Sequence, residues 1–203
     1  MSQQAIPLLC TIGYQSGDKS YWAGSLGMWV NPQPGNNTSP EISSHAVKPT
    51  ETLRYAVVLS RADPTAKPLF NANLPNNTDI PAALAPLLTS QNILFFYTVC
   101  WTKDAPQGAL YDVLRQNGGG QALEQFENLV SWNGCGMQGN VWYLQVGIPG
   151  SGIPGVERHG FQQYTYGTQW QDPEPVRGSQ SGYERLFFTL VPSPSGYAPV
   201  LAP

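Results

Sequence analysis

Charge is what this chain has least of. Only 11% of its 203 residues are Asp, Glu, Lys or Arg, less than half the usual fraction of about 25%. Ten basic residues are scattered among 13 acidic ones, giving a net charge of -3. Nucleic-acid binding needs clustered Lys and Arg to neutralise phosphates, so no nucleic-acid partner is expected. Strong attraction to anionic lipid is not expected either. Neutral partners fit by elimination: glycans, zwitterionic lipid head groups or other protein surfaces.

Long apolar runs are also missing. No stretch approaches the roughly 18 residues needed to span a membrane, so no transmembrane segment is expected. Met1-Ser2-Gln3-Gln4 lacks the basic and apolar regions of a signal peptide, and Pro7 interrupts the short run that follows. The expectation is cytoplasmic synthesis without a signal peptide, with any release by an unconventional route. The Asn-x-Ser/Thr triplets at Asn36, Asn37 and Asn76 then read as loop composition. Three cysteines cannot all pair within one chain. Cys10 and Cys100 lie in strand-like apolar runs and read as buried free thiols. With only two histidines, no Cys/His set has recognisable metal-ligand spacing, and neither metal nor cofactor is expected.

Glycine and proline are abundant instead, 21 and 19 residues. They punctuate the chain into short elements. The stretch around which the others must be laid is Gln91 to Thr102. Its alternation puts Ile93, Phe95, Tyr97, Val99 and Trp101 on one face and Leu94, Phe96 and Cys100 on the other, so both faces need cover. Aromatic and β-branched content favours an interior strand over a helix.

Before it, residues 5 to 14 read as a strand whose start Pro7 places at an edge. A turn at Ser16 to Lys19 and a second strand over 21 to 30 complete a hairpin. Residues 31 to 40 are irregular. Thr52 to Arg61 reads as an amphipathic strand with Leu53, Tyr55, Val57 and Leu59 inward and one wet face. The Pro-rich segment 62 to 88 reads as a long surface excursion with a helical turn near 82 to 88, and connections of that length are often functional.

Beyond the central strand, Asp104 is expected to cap a helix with Pro106 in its first turn. Ala109, Leu110, Val113 and Leu114 follow at helical spacing, and Asn117-Gly118-Gly119-Gly120 stops the helix. A second helix from Gln121 to about Trp132 sets Ala122, Leu123, Phe126, Leu129 and Val130 on one face and leaves Glu124 and Glu127 solvated. Strands over 140 to 148, 161 to 170 and 183 to 191 complete the set. The expected fold is therefore mainly β: an antiparallel β-sandwich or jelly-roll-like single domain over 1 to 191, with a two-helix insertion at about 105 to 132. Residues 192 to 203 are expected to be a loosely attached Pro-rich tail.

Tyr164, Tyr166, Trp170, Asp172 and Glu174 form the strongest candidate ligand site. On a strand, the two tyrosines and the tryptophan share a face, and two prolines stiffen the loop that carries the carboxylates. A sugar ring offers an apolar C–H face and a rim of hydroxyls, which aromatic planes beside carboxylates and amides complement. The bland alternative is that these aromatics are core. Gln162, Gln163, Gln169 and Gln171 interleave with them and make a dry interior less comfortable. Tyr21, Trp22 and Trp29 form a second aromatic group.

The functional expectation is a non-enzymatic, lectin-like protein that binds a glycan and gains avidity if it oligomerises. Aromatics with polar tips also suit a membrane interface, which keeps a head-group-binding, pore-forming toxin as the alternative. A structural self-assembling protein is the third. Hydrolytic chemistry has thinner support. No Gly-x-Ser-x-Gly elbow occurs, Cys135 with His159 follows a helix C-terminus where a thiolate is disfavoured, and nothing fixes the spacing of Asp172, Glu174 and Glu184 as a glycosidase pair.

Overall fold

A computed structural model describes residues 4–16, 21–28, 41–47, 52–100, 104–133, 139–163 and 182–201. Among them are ten strands and two helices: β1 (Ile6–Ser16), β2 (Tyr21–Met28), β3 (Glu41–Val47), β4 (Leu53–Ser60), β5 (Phe70–Asn73), β6 (Asn92–Cys100), α1 (Gly108–Gln116), α2 (Gln121–Asn133), β7 (Gly139–Gly147), β8 (Val156–Gln163), β9 (Gly182–Ser193) and β10 (Gly196–Leu201). Two five-stranded sheets result, in the orders β10-β9-β1-β2-β3 and β5-β4-β6-β7-β8. Every pairing is antiparallel. The fold is an antiparallel β-sandwich with a two-helix insertion.

Strand β6 is the middle of the second sheet, and all nine of its residues are buried. Its two faces divide as the alternation predicts. Ile93, Phe95, Tyr97 and Val99 join the core between the sheets, with Leu8, Ile12 and Phe188 of the first sheet. Leu94, Phe96 and Cys100 join a second core beneath the helices, with Leu110, Leu114, Leu123, Phe126 and Val130. Ring contacts mark each layer: Phe95 lies 5.5 Å from Phe188, and Phe126 stacks on Tyr143 of β7 at 5.4 Å. Strand β7 splits in the same way, with Trp142, Leu144 and Val146 in the first core and Val141 and Tyr143 in the second.

Five expectations need correction. Strand β4 has no wet face, because Ala56 and Val58 are buried in the second core with Leu74 and Leu84 of the long excursion. That excursion is a cover, and it contributes edge strand β5 and the single 3-10 turn Ala85–Leu87. Pro7 does not mark an edge strand, since β1 is central. It pairs with Thr189 on one side, whereas pairing with β2 begins one residue later at Leu8 and Met28. Helix α1 starts at Gly108 behind Gln107, with no side-chain cap. Glu127 is half-buried and shares a hydrogen bond with Tyr111, although Glu124 is exposed and pairs with Arg115 at 3.1 Å.

The Pro-rich end is the fifth correction. It forms β10 on β9 and buries Tyr197. Arg61, just past β4, fastens it: Nε donates to Tyr197 O (2.8 Å), Nη1 to Ser90 O (2.7 Å) and Nη2 to Ser195 Oγ (2.9 Å). The backbone answers, with Tyr197 N donating to Arg61 O at 2.8 Å. Arg61, only 6% exposed, thus spends its donors on neutral acceptors of the β9–β10 hairpin and of the turn before β6. It closes one end of the sandwich.

Where the helices meet the sheet, backbones approach closely. Gly118 has φ +90°, and a Cβ there would lie 2.1 Å from Gly155 N; only glycine suits that position. Beside it, buried Gln145 donates to Leu114 O at 2.9 Å, and Asn117 Nδ2 reaches Leu94 O and Gln145 Oε1, both at 3.2 Å. These amides link the end of α1 to strands β6 and β7.

Candidate functional site

The end of the sandwich opposite Arg61 gathers most of the candidate residues' flanking strands. In the first sheet, Ser16 pairs with Tyr21, Tyr21 with Val47 and Tyr14 with Gly182. The end of β1, the start of β2, the end of β3 and the start of β9 therefore lie side by side. In the second sheet, Leu53 pairs with Val99, Cys100 with Val141 and Gly139 with Gln163, aligning the start of β4, the ends of β6 and β8 and the start of β7. Arg61, just past the end of β4, bonds Tyr197 of β10 beside the end of β9, so the strand ends remote from it in both sheets lie toward one rim.

Tyr164, Tyr166, Trp170, Asp172, Glu174 and Trp29 lie outside the described residues, as do Trp101 and Cys135. The chain leaves β8 at Gln163 and re-enters at Gly182, and both residues stand on this rim. The strand expected from Phe161 begins earlier, at Val156. Tyr21 and Trp22 open β2 at the same rim, opposite Ser16 and Gln15. Met28, the residue before Trp29, stands at the other end of β2, roughly 23 Å along the strand.

Three described polar residues meet at this rim. Asp104, four residues beyond the end of β6, turns back to β4. Its Oδ1 lies 3.3 Å from Arg54 Nη2, and its Oδ2 accepts from Thr52 Oγ1 at 2.5 Å. The Asp104 side chain is 44% exposed and that of Arg54 only 11%. Arg54 is fixed through its backbone as well: its N–H donates to Asn73 Oδ1 (3.0 Å) and its carbonyl accepts from Leu74 N (2.6 Å). Its Nε is buried without a hydrogen-bond partner. Beneath the pair, Thr98 Oγ1 donates to Leu53 O at 2.6 Å, and Cys100 Sγ contacts Thr98 Oγ1 (3.3 Å) and Asp104 O (3.5 Å). Burial pushes the Cys100 thiol up to about 12, and Cys10 is raised for the same reason. Both are buried free thiols, inert at neutral pH.

Sequence reasoning treats Asp104 only as a helix cap and Arg54 only as a solvated strand position. One local signal points elsewhere. Proline favours the first helical position, so Pro106 would make Ala105 the cap and leave Asp104 one residue early.

His159 and Glu157 occupy β8. Glu157 is structural: Oε1 accepts from Gly120 N and Ala122 N at the start of α2, both at 3.0 Å, and Oε2 from Tyr143 Oη at 2.9 Å. The carboxylate satisfies orphan amides at the positive end of the helix. Burial, then the adjacent Glu157 charge, holds the Tyr143 hydroxyl well above its ordinary range. His159 pairs with Tyr143 across the ladder. Burial lowers its pKa and Glu157 partly opposes that. Glu184 lies on β9 opposite Ile12.

Among the described residues no helix is long and apolar enough to cross a membrane. No family model, no curated protein and no solved structure matches this chain.

Proposed function

We propose that this is a non-enzymatic, lectin-like protein that binds a glycan at the rim opposite Arg61, through Tyr164, Tyr166, Trp170, Asp172 and Glu174. One observation carries the reading. The strands flanking this aromatic and carboxylate stretch, β8 and β9, end and begin on the rim where Tyr21 and Trp22 open β2. Stacking of aromatic planes on sugar C–H faces supplies affinity, and carboxylates and amides receive the hydroxyls. Single-site affinity is weak in such a design, and avidity follows from several copies acting together.

A glycan-array screen of the protein, run beside a leakage assay on pure phosphatidylcholine vesicles, tests the reading. Saturable binding to a defined set of glycans with sealed vesicles is expected. Leakage without glycan binding would replace it with the membrane-active alternative, and sedimentation into large regular particles with neither would favour self-assembly.

A further inference from the structure

Asn117-Gly118 is one of two Asn-Gly dipeptides in the chain, with Asn133-Gly134, whose glycine lies outside the described residues. Asn-Gly is the pair most prone to deamidation, because glycine has no Cβ to hinder attack by its own backbone nitrogen. The fold demands glycine at 118, where φ is +90° and a Cβ would lie 2.1 Å from Gly155 N. It demands the side-chain amide at 117 as well. Asn117 is fully buried, and its Nδ2 donates to Leu94 O and Gln145 Oε1, both at 3.2 Å. Packing where α1 meets α2 thus requires a chemically labile pair.

The folded geometry keeps that pair unreactive. Ring closure needs Gly118 N to swing toward the side chain and attack Cγ. At ψ 7° this nitrogen nearly eclipses Asn117 N instead, and its N–H donates to Arg115 O at 3.1 Å. Turning the bond also disturbs the hydrogen bonds from Gly119 N to Leu114 O (2.9 Å) and from Gly155 N to Gly118 O (3.0 Å). Reaction therefore awaits local opening of the junction.

We propose that Asn117 is a latent deamidation site whose conversion records opening of the α1–α2 junction and is not undone by refolding. In the opened chain Gly118 N loses its proton to solvent and bonds to Cγ. The Cγ–Nδ2 bond breaks, and Nδ2 takes a proton from water and leaves as ammonia. Water then opens the cyclic imide at either carbonyl, giving aspartate or isoaspartate. A carboxylate returned to this place meets no donor, since Nδ2 faces two acceptors and Oδ1 is buried without a hydrogen-bond partner. Gln145 can offer its own amide only by stranding Leu114 O. A buried charge without a partner is among the costliest changes a core can take.

The test incubates wild type at mildly alkaline pH, in native buffer and in guanidinium chloride, and follows both asparagines by peptide mass spectrometry. In denaturant Asn117 and Asn133 should convert at similar rates. In native buffer Asn117 should convert about a hundredfold more slowly or less, as reaction through a rare open state requires. Asn117→Asp, made directly, should fail to fold or melt far below wild type. Native conversion of Asn117 within about tenfold of its denatured rate overturns the latent site. Conversion of Asn133 alone in denaturant overturns it too. Asn117→Asp melting within a few degrees of wild type overturns the one-way character of the change.

Discussion

The Tyr143 hydroxyl, on a side chain otherwise sealed in the second core, donates to Glu157 Oε2 at 2.9 Å. The other oxygen of Glu157 caps α2. One carboxylate therefore ties the helical insertion to both β7 and β8. Glu157→Ala should cost about 2 to 4 kcal/mol, combining a lost cap with a stranded buried hydroxyl. Glu157→Gln, which can still serve the helix amides, should cost less than half as much. Urea denaturation of the two variants checks this, and equal losses would show that an acceptor oxygen alone cannot replace the carboxylate.

Loss of the Arg61 clamp should act on β10 first. Arg61→Ala strands Tyr197 O and Ser90 O and removes the donors that hold the terminal hairpin. A destabilisation of roughly 3 kcal/mol is expected, the scale of leaving two buried carbonyls without their donors. Hydrogen exchange should report it as faster exchange in β10 at a denaturant concentration where β6 amides remain protected.

Acid should act in opposite senses on two side chains. Burial holds His159 below its ordinary 6.5, so the unfolded chain takes up the proton first and stability falls as pH drops through about 6.5. Burial raises Glu127 above its ordinary 4.5, so the folded chain binds the proton first and stability falls as pH rises from 4.5 through the raised value. His159→Gln should flatten the acid limb of a melting-temperature profile. Glu127→Gln retains an acceptor for Tyr111 and should melt higher than wild type at pH 7.

Cys10 and Cys100 should resist alkylation at pH 8 while the chain is folded. Each is fully buried, and burial raises both thiols. Peptide mapping after iodoacetamide treatment, with and without denaturant, reads this directly. Label on either residue in the native protein would contradict the packing of β1 or β6.

Much of the sandwich is legible in the sequence because alternation on β6 and β7 is a local property. It assigns Phe95 and Phe96 to opposite cores, where the structure has them. What failed depends on distant partners. The outer face of β4 looks wet until Leu74 and Leu84 cover it, and residues 192 to 203 look loose until Arg61 holds Tyr197. Strand β3, with Ser43, Ser44 and His45, carries too few apolar residues to announce itself at a sheet edge. The candidate stretch at 164 to 174 is visible as composition. Its flanks' position on one rim is a consequence of strand order, which no local pattern encodes. Asp104 was hidden in the same way, its partners lying on β4 and just before it.

The central claim is that the aromatic stretch between β8 and β9 is a sugar site. The most direct measurement is binding of wild type and Trp170→Ala to one array-selected glycan by titration calorimetry, with thermal melts of both. A folded variant is expected, with affinity lower by about tenfold or more, the scale of truncating a well-packed aromatic in a binding site. Undiminished binding by a variant that melts like wild type would contradict it.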